Sequence, residues 1–220
     1  MKIKHLHRWD VSPRDAISIQ NDLAGQVIHD RPLDFDAIKL VAGVDVSVKD
    51  NTSQAAVVVL RYPDLQVIET VTAKQPTPFP YITGLLSYRE GPALEEAFGK
   101  LKNEPDVFIF DGMGRIHPRR IGIAAHMGLW LEKPTIGCGK THLIGTYETP
   151  AVEKGSFSDL HDKGEHLGVV LRTRTNVKPV YISPGHLCDI KSAIKLILDC
   201  TPKYRLPEPI RQAHNAAGQL

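Results

Sequence analysis

Two aspartates stand where apolar strand residues would be expected. Asp45 interrupts Leu40–Val48 (LVAGVDVSV), and Asp111 lies where DVFIF (106–110) runs out into Gly112-Met113-Gly114. A buried carboxylate without a partner is costly, so each needs a cation or N–H donors. Asp45 reads either as a carboxylate paired with an arginine or backbone donors, or as a metal ligand. Asp111 reads either as a turn-initiating residue or as a ligand at the C-terminal end of a strand, where open α/β sheets place their ligands. Together they suggest neighbouring strands offering oxygens to a hard divalent ion such as Mg²⁺. Glu90, in SYREGP (87–92), is a candidate third acid, although alone it also suits a surface or helix-cap position. With no Cys or His spacing for zinc, the set points to phosphoryl transfer. The ion would activate a water and clamp the oxygens of a phosphodiester.

The basic residues cluster beside these acids. Arg115, His117, Arg119 and Arg120 closely follow Asp111, with Gly112 and Gly114 in the same turn. Such a turn lets backbone N–H groups approach a phosphate or base while the cations meet the strand; the plainer reading is a solvated helix start. Lys140, in GCGKT (137–141), lacks the P-loop spacing because the first glycine of GxxxxGK[ST] would fall on Pro134. It reads instead as a charge aimed at the same sheet end. FPYITG (79–84) is a stiff loop with an aromatic tip; Tyr81 either packs into the core or wedges into a base stack. His161 and His166 are not at helical metal-pair spacing and read as solvent-facing. His214, four residues before Gly218, reads locally as a surface or capping histidine.

The elements that must carry these residues follow from periodicity. Ser12-Pro13-Arg14-Asp15 opens a helix with a cap, a first-turn proline and an acid at the positive dipole end. Ala16, Ile19, Leu23 and Val27 give it one buried face, and Asp30-Arg31-Pro32 ends it. Strands over 39–48, 54–61 and 66–72, separated by hairpin-length turns, predict an antiparallel meander. A helix from Pro92 to about residue 101, a strand at 106–110, a helix over 118–131 and a strand at 135–138 follow. Strands at 166–173 and 180–183 and helices over 185–198 and 208–217 complete the chain. The order predicts an α/β fold: a mixed central sheet, antiparallel meander plus parallel strands, flanked by helices. No repeat or linker divides residues 1–220, so a single domain is expected.

Composition narrows the class. With 42% hydrophobic and 24% charged residues, the chain of 220 residues reads as an ordinary globular protein. A formal charge of +2 is too small to announce nucleic-acid binding, so any basic surface must be local. Three cysteines without CxxC argue against a disulfide framework and a zinc ribbon, and favour a reducing, cytoplasmic home. No apolar run reaches signal-peptide or membrane-span length, so no membrane partner is expected.

From about Val41 to Ala216 the chain resembles the endonuclease V family. The resemblance rests on the order and spacing of GVDVS (43–47), FPYITG (79–84), YREGP (88–92), FDGMGRIHPRRIGIAAHMG (110–128), CGKTHLIG (138–145), YISPGH (181–186) and RLPEPIRQAH (205–214). It implies an RNase H-like fold and Mg²⁺-dependent hydrolysis, with Mn²⁺ able to substitute. The bond cut would be the second phosphodiester 3′ to deoxyinosine in DNA, leaving 3′-hydroxyl and 5′-phosphate ends. Asp45, Asp111 and Glu90 would be the metal ligands, and His214 would complete the site directly or through water. Lys140 would steady the scissile phosphate or the nucleophile. Pro80, Tyr81 and Ile82 would form a strand-separating wedge. Gly84, Leu86, Gly112, Gly114, His117, Gly122 and Leu143 would shape a pocket for the flipped base, and Arg89, Arg119 and Arg120 would meet the DNA backbone. The implied partners are DNA containing deaminated purines and single-stranded nucleic acid, met by a monomer.

Two positions depart from the family pattern. Thr83 stands where the wedge loop usually has a second proline, which suggests a less rigid loop and a broader lesion preference. His214 stands where some members carry Asp, favouring a tuning or base role over an obligatory carboxylate. Two other readings keep their place: a ribonuclease acting on inosine in RNA, and a non-catalytic binder of distorted nucleic acid. The intact acid set argues against the binder, since carboxylates facing phosphates weaken binding.

Overall fold

The computed structural model describes residues 1–218. Helix α1 (Pro13–Ala24) begins at the expected cap, where the Ser12 hydroxyl oxygen accepts from the Asp15 N–H at 3.1 Å. Strands β1 (Leu40–Lys49), β2 (Thr52–Arg61) and β3 (Val67–Pro76) form the antiparallel meander. Helix α2 (Leu86–Gly99) leads into β4 (Val107–Phe110), and α3 (Ile123–Leu131) into β5 (Thr135–Gly139). β4 pairs parallel with β1, and β5 parallel with β4. Strands β6 (Phe157–Asp162), β7 (Glu165–Leu171) and β8 (Val180–Pro184) follow, then helices α4 (Ile190–Asp199) and α5 (Glu208–Ala217). One mixed sheet results, in the order β3-β2-β1-β4-β5-β8-β7-β6, with β8 antiparallel to β5.

The period of two along the central strands divides two cores. Val41, Val107 and Ile109 face Leu196, Ile197, Ile210 and Ala213 of α4 and α5. Ala42, Val44, Phe108 and Phe110 face Leu94, Ala97, Phe98 and Trp130 of α2 and α3. Alternation therefore returns the next residue of each strand, Asp45 and Asp111, to the α5 side. The fold places both acids on one face before any side-chain contact is considered.

Several expectations change. Helix α1 ends at Ala24 with Gly25 as its C-cap, so Val27 lies beyond it, and β3 runs on to Pro76. Helix α2 starts at Leu86 rather than Pro92, which lies inside it. An interior proline costs about 3 kcal/mol, but burying each large side chain such as Tyr88, Leu94 or Phe98 returns about 1.5–3 kcal/mol. Helix α3 starts at Ile123, because Arg120 takes a left-handed conformation (φ 62°) that breaks the turn from Pro118. Helix α4 starts at Ile190, where the Asp189 carboxylate caps the Ser192 N–H at 2.7 Å. Strand β6 adds to the expected elements: FSDLHD has little β-branched or aromatic content, and its pairing with β7 supplies what propensity does not. Cys138, Cys188 and Cys200 are buried and free. Among the described residues no helix is long and apolar enough to cross a membrane.

Candidate functional site

Strand register sets the two aspartates side by side. Val44 lies beside Phe110 in the parallel β1–β4 pair, and the Asp111 N–H donates to the Val44 carbonyl at 2.9 Å. Helix α5 crosses the same face, and the His214 Nδ1–H donates to Asp45 Oδ2 at 2.7 Å. The Val46 N–H donates to Asp45 Oδ1 at 2.8 Å. Lys140, directly after β5, forms an ion pair with Asp111. Ligand atoms of Asp45, Asp111 and His214 all lie within 4.8 Å of one another. Glu90, in the second turn of α2, faces the same cavity from the opposite layer but stands outside this closest set.

The electrostatics suit a cation. Burial, then the charges of Asp45 and Asp111, push the Glu90 carboxyl well above its ordinary range. Burial and then Asp45 also raise Asp111, against the pull of Lys140. Three carboxylates facing one ammonium leave negative charge uncompensated. Carboxylate oxygens with one imidazole and no thiolate fit a hard divalent ion of the Mg²⁺ or Mn²⁺ kind.

Above this floor opens a cavity of about 600 Å³ lined by Gly84, Leu86, Gly112, His117, Gly122 and Leu143, with Tyr81 and Ile82 on its wall. Its size falls within the usual range of small-ligand pockets. Tyr81 is 74% exposed, which excludes the core-packing alternative. Pro80 beside it is exposed, while Ile82 packs with Phe79 and Leu85 and anchors the loop. Gly114 does not line the cavity. It lies behind the wall, where its N–H donates to the Ser183 hydroxyl at 2.9 Å and its carbonyl accepts from Gly122 at 2.8 Å. A Cβ there would sit 2.1 Å from the Pro184 oxygen.

His117 is buried and donates through Nε2 to the Gly84 carbonyl at 3.0 Å, while Nδ1 accepts from the Arg119 N–H at 3.2 Å. Burial lowers its pKa to about 4, so the neutral Nε2–H form is the one present. The arginines expected at a DNA backbone turn inward. Arg89 donates to the Phe79 carbonyl at 2.8 Å, Arg119 to the Gly84 carbonyl at 2.7 Å and Arg120 to Glu165 at 3.1 Å. His161 and His166 are exposed and stacked on each other, far in role from the acids. No motif marks Gln20 of α1, which donates to the Gly84 carbonyl at 3.1 Å. The signal was a polar residue on the apolar stripe of Ala16 and Leu23.

A family model described as endonuclease V matches residues 21–215. The endonuclease V of Kosmotoga olearia is 50% identical over 221 residues, covering 100% of this chain and 97% of the relative. The crystal structure of the Bacillus subtilis endonuclease V superposes with a TM-score of 0.94 at 33% identity, covering 99% of this chain and 96% of that one. The Ciona intestinalis endonuclease V, solved with a 24mer DNA containing an inosine followed by a ribo-adenosine, gives a TM-score of 0.83 at 30% identity. It covers 94% of this chain and 95% of that one. The fold of these neighbours is RNase H-like, as the resemblance implied.

Proposed function

The chain belongs to the endonuclease V family, a family of nucleases, and we propose that it hydrolyses the second phosphodiester bond 3′ to deoxyinosine in DNA. The lesion stays in the nicked strand, between 3′-hydroxyl and 5′-phosphate ends. The carrying observation is the Asp45–Asp111–His214 cluster on the floor of a glycine-lined cavity with exposed Tyr81 on its wall. The protein works as one domain and a monomer, in the cytoplasm.

Asp45, Asp111 and Glu90 would hold Mg²⁺, or Mn²⁺ in its place, with His214 completing the site. Bound there, the ion supplies Lewis acidity at the phosphodiester oxygens and at the attacking water. His214 orients the Asp45 carboxylate through its N–H, and Lys140 is the cation within reach of a phosphate beside Asp111. Pro80, Tyr81 and Ile82 form the wedge. Gly84, Leu86, Gly112, Gly122, His117 and Leu143 shape the base pocket, and Gly114 supports it from behind. Glycines in that wall bring backbone groups within reach of a base, which suits a site that accepts a 6-oxo purine and refuses the exocyclic amine of adenine. Arg89, Arg119 and Arg120 serve by holding the loops in place.

The test is nicking of a labelled duplex with a single deoxyinosine, with and without Mg²⁺, mapped to the nucleotide against undamaged duplex. One cut at the second bond is expected, and D45N or D111N abolishes it while DNA binding persists. Full activity in either variant overturns the metal-site assignment. The ribo-adenosine after the inosine in the Ciona complex favours one other reading, an inosine-specific endoribonuclease. Matched strands differing only in the 2′-hydroxyl at the scissile position separate the two. Tight binding with no strand loss on either would leave a non-catalytic binder.

A further inference from the structure

We infer that Gln20 is a positioning residue for base selection, tying the wedge loop to the pocket wall; this rests on the functional reading above. Gln20 lies just outside the residues matched by the family model. It sits on the apolar stripe of α1, fully buried, and a buried amide must find partners. Its Oε1 accepts from Arg119 Nε at 2.6 Å, and its Nε2 donates to the Gly84 carbonyl at 3.1 Å. The same carbonyl accepts from Arg119 Nη2 at 2.7 Å and from His117 Nε2 at 3.0 Å. Three donors thus converge on an oxygen with two lone pairs, so that oxygen is fixed and closed to a ligand.

Gly84 makes the convergence possible. Its φ of 83° is left-handed, and a Cβ there would lie 2.9 Å from Arg119 Nη2 and 3.3 Å from His117 Nε2. Gly84 ends the loop that carries Tyr81 and, two residues before Leu86, sets the entry into the helix that carries Glu90. Gln20, Arg119 and Gly84 therefore close a ring of hydrogen bonds between α1, the turn after Asp111 and the wedge loop. Neither Gln20 nor Arg119 needs to touch substrate for that ring to set the width of the pocket. Without the amide, Arg119 Nε loses its acceptor and the loop end loses one of its ties.

The test compares Q20M, which keeps volume and removes both bonds, with Q20E, which keeps an acceptor for Arg119 but turns an acceptor on the Gly84 carbonyl. Single-turnover nicking of deoxyinosine and undamaged duplexes is measured for both. The ratio of the two is expected to fall about tenfold, through weaker engagement rather than a slower step at saturating enzyme. A general loss of stability would lower both substrates together and leave the ratio alone. Amide hydrogen exchange over residues 79–86 is expected to quicken while that of the central strands does not. A folded Q20M with wild-type selectivity and wild-type exchange overturns the inference; if Q20M does not fold, Q20E decides. Should the wild type cut neither inosine-containing DNA nor RNA, the functional reading fails, and exchange over 79–86 alone decides the role of Gln20.

Discussion

Tyr81 shows how a single residue divides packing from function. The residue is 74% exposed on the cavity wall, so truncation removes almost nothing from the core. Substitutions at such surface positions usually change stability by less than about 0.5 kcal/mol. Stacking of a base on an aromatic ring is worth about 1–3 kcal/mol, which is roughly five- to 150-fold in binding or rate. Y81A is therefore expected to cut lesion-dependent nicking by about that factor with an unchanged melting temperature, and Y81F to stay near wild type. A Y81A protein whose melting temperature and activity fall together would return Tyr81 to a packing role. The residues around Tyr81 leave it open between core and wedge, because a Pro-Tyr pair carries no burial signal; only the family resemblance points to the wedge. Asp45 and Asp111 were legible, since a carboxylate in an apolar strand demands an explanation. His214 was legible only through the family resemblance: exposed on α5, it looks locally like a surface histidine, and no local pattern encodes its 2.7 Å contact to Asp45.

Elements matter here through what they hold against the strand ends. Helix α5 rests on β1 at Gly43, where an added Cβ would lie 1.9 Å from the Pro209 oxygen and 2.8 Å from the Ile210 nitrogen. Those contacts are backbone, so they cannot rotate away as a flexible side chain would. G43A is expected to push the start of α5 off the sheet, costing about 1–3 kcal/mol in stability by overpacking. His214 rides on the same helix, so the displacement also loosens its bond to Asp45. Urea unfolding and Mg²⁺-dependent nicking check both effects; a G43A protein with wild-type stability would show that α5 is not seated as described. The strands and the final helix were readable because period-two and period-three-to-four patterns survive in single segments. The start of α2 was not, because Pro92 looks like a first-turn residue until the buried side chains of Tyr88 and Ser87 place it inside the helix. β6 likewise depends on its neighbour β7 rather than on its own residues.

At the scale of the molecule, folding free energy follows pH through acids and histidines that are buried together. His117 is lowered from 6.5 to about 4 by burial, and His126, fully enclosed within α3, to about 3. Between these values and 6.5 the unfolded chain binds the proton and the folded chain does not. Stability from each histidine is therefore complete above its unfolded pKa and lost as pH falls toward the folded one. For His117 the loss amounts to about 3 kcal/mol, a sizeable share of the roughly 5–15 kcal/mol that holds a folded domain. Glu90 and Asp111 act with the opposite sign. Their carboxyls are raised in the fold, so protonation favours the folded state and partly offsets the histidines as pH falls. A bare pH profile thus mixes two opposed contributions, and only a difference isolates one. H117Q keeps a donor for the Gly84 carbonyl and an acceptor for the Arg119 N–H but cannot titrate. Urea unfolding of the metal-free protein at pH 4 to 8 is expected to show the wild type losing about 3 kcal/mol relative to H117Q between pH 6.5 and 4, and no relative change above 7. Parallel profiles for the two proteins would mean that His117 takes up its proton within the fold, and that the pocket wall it supports opens to water.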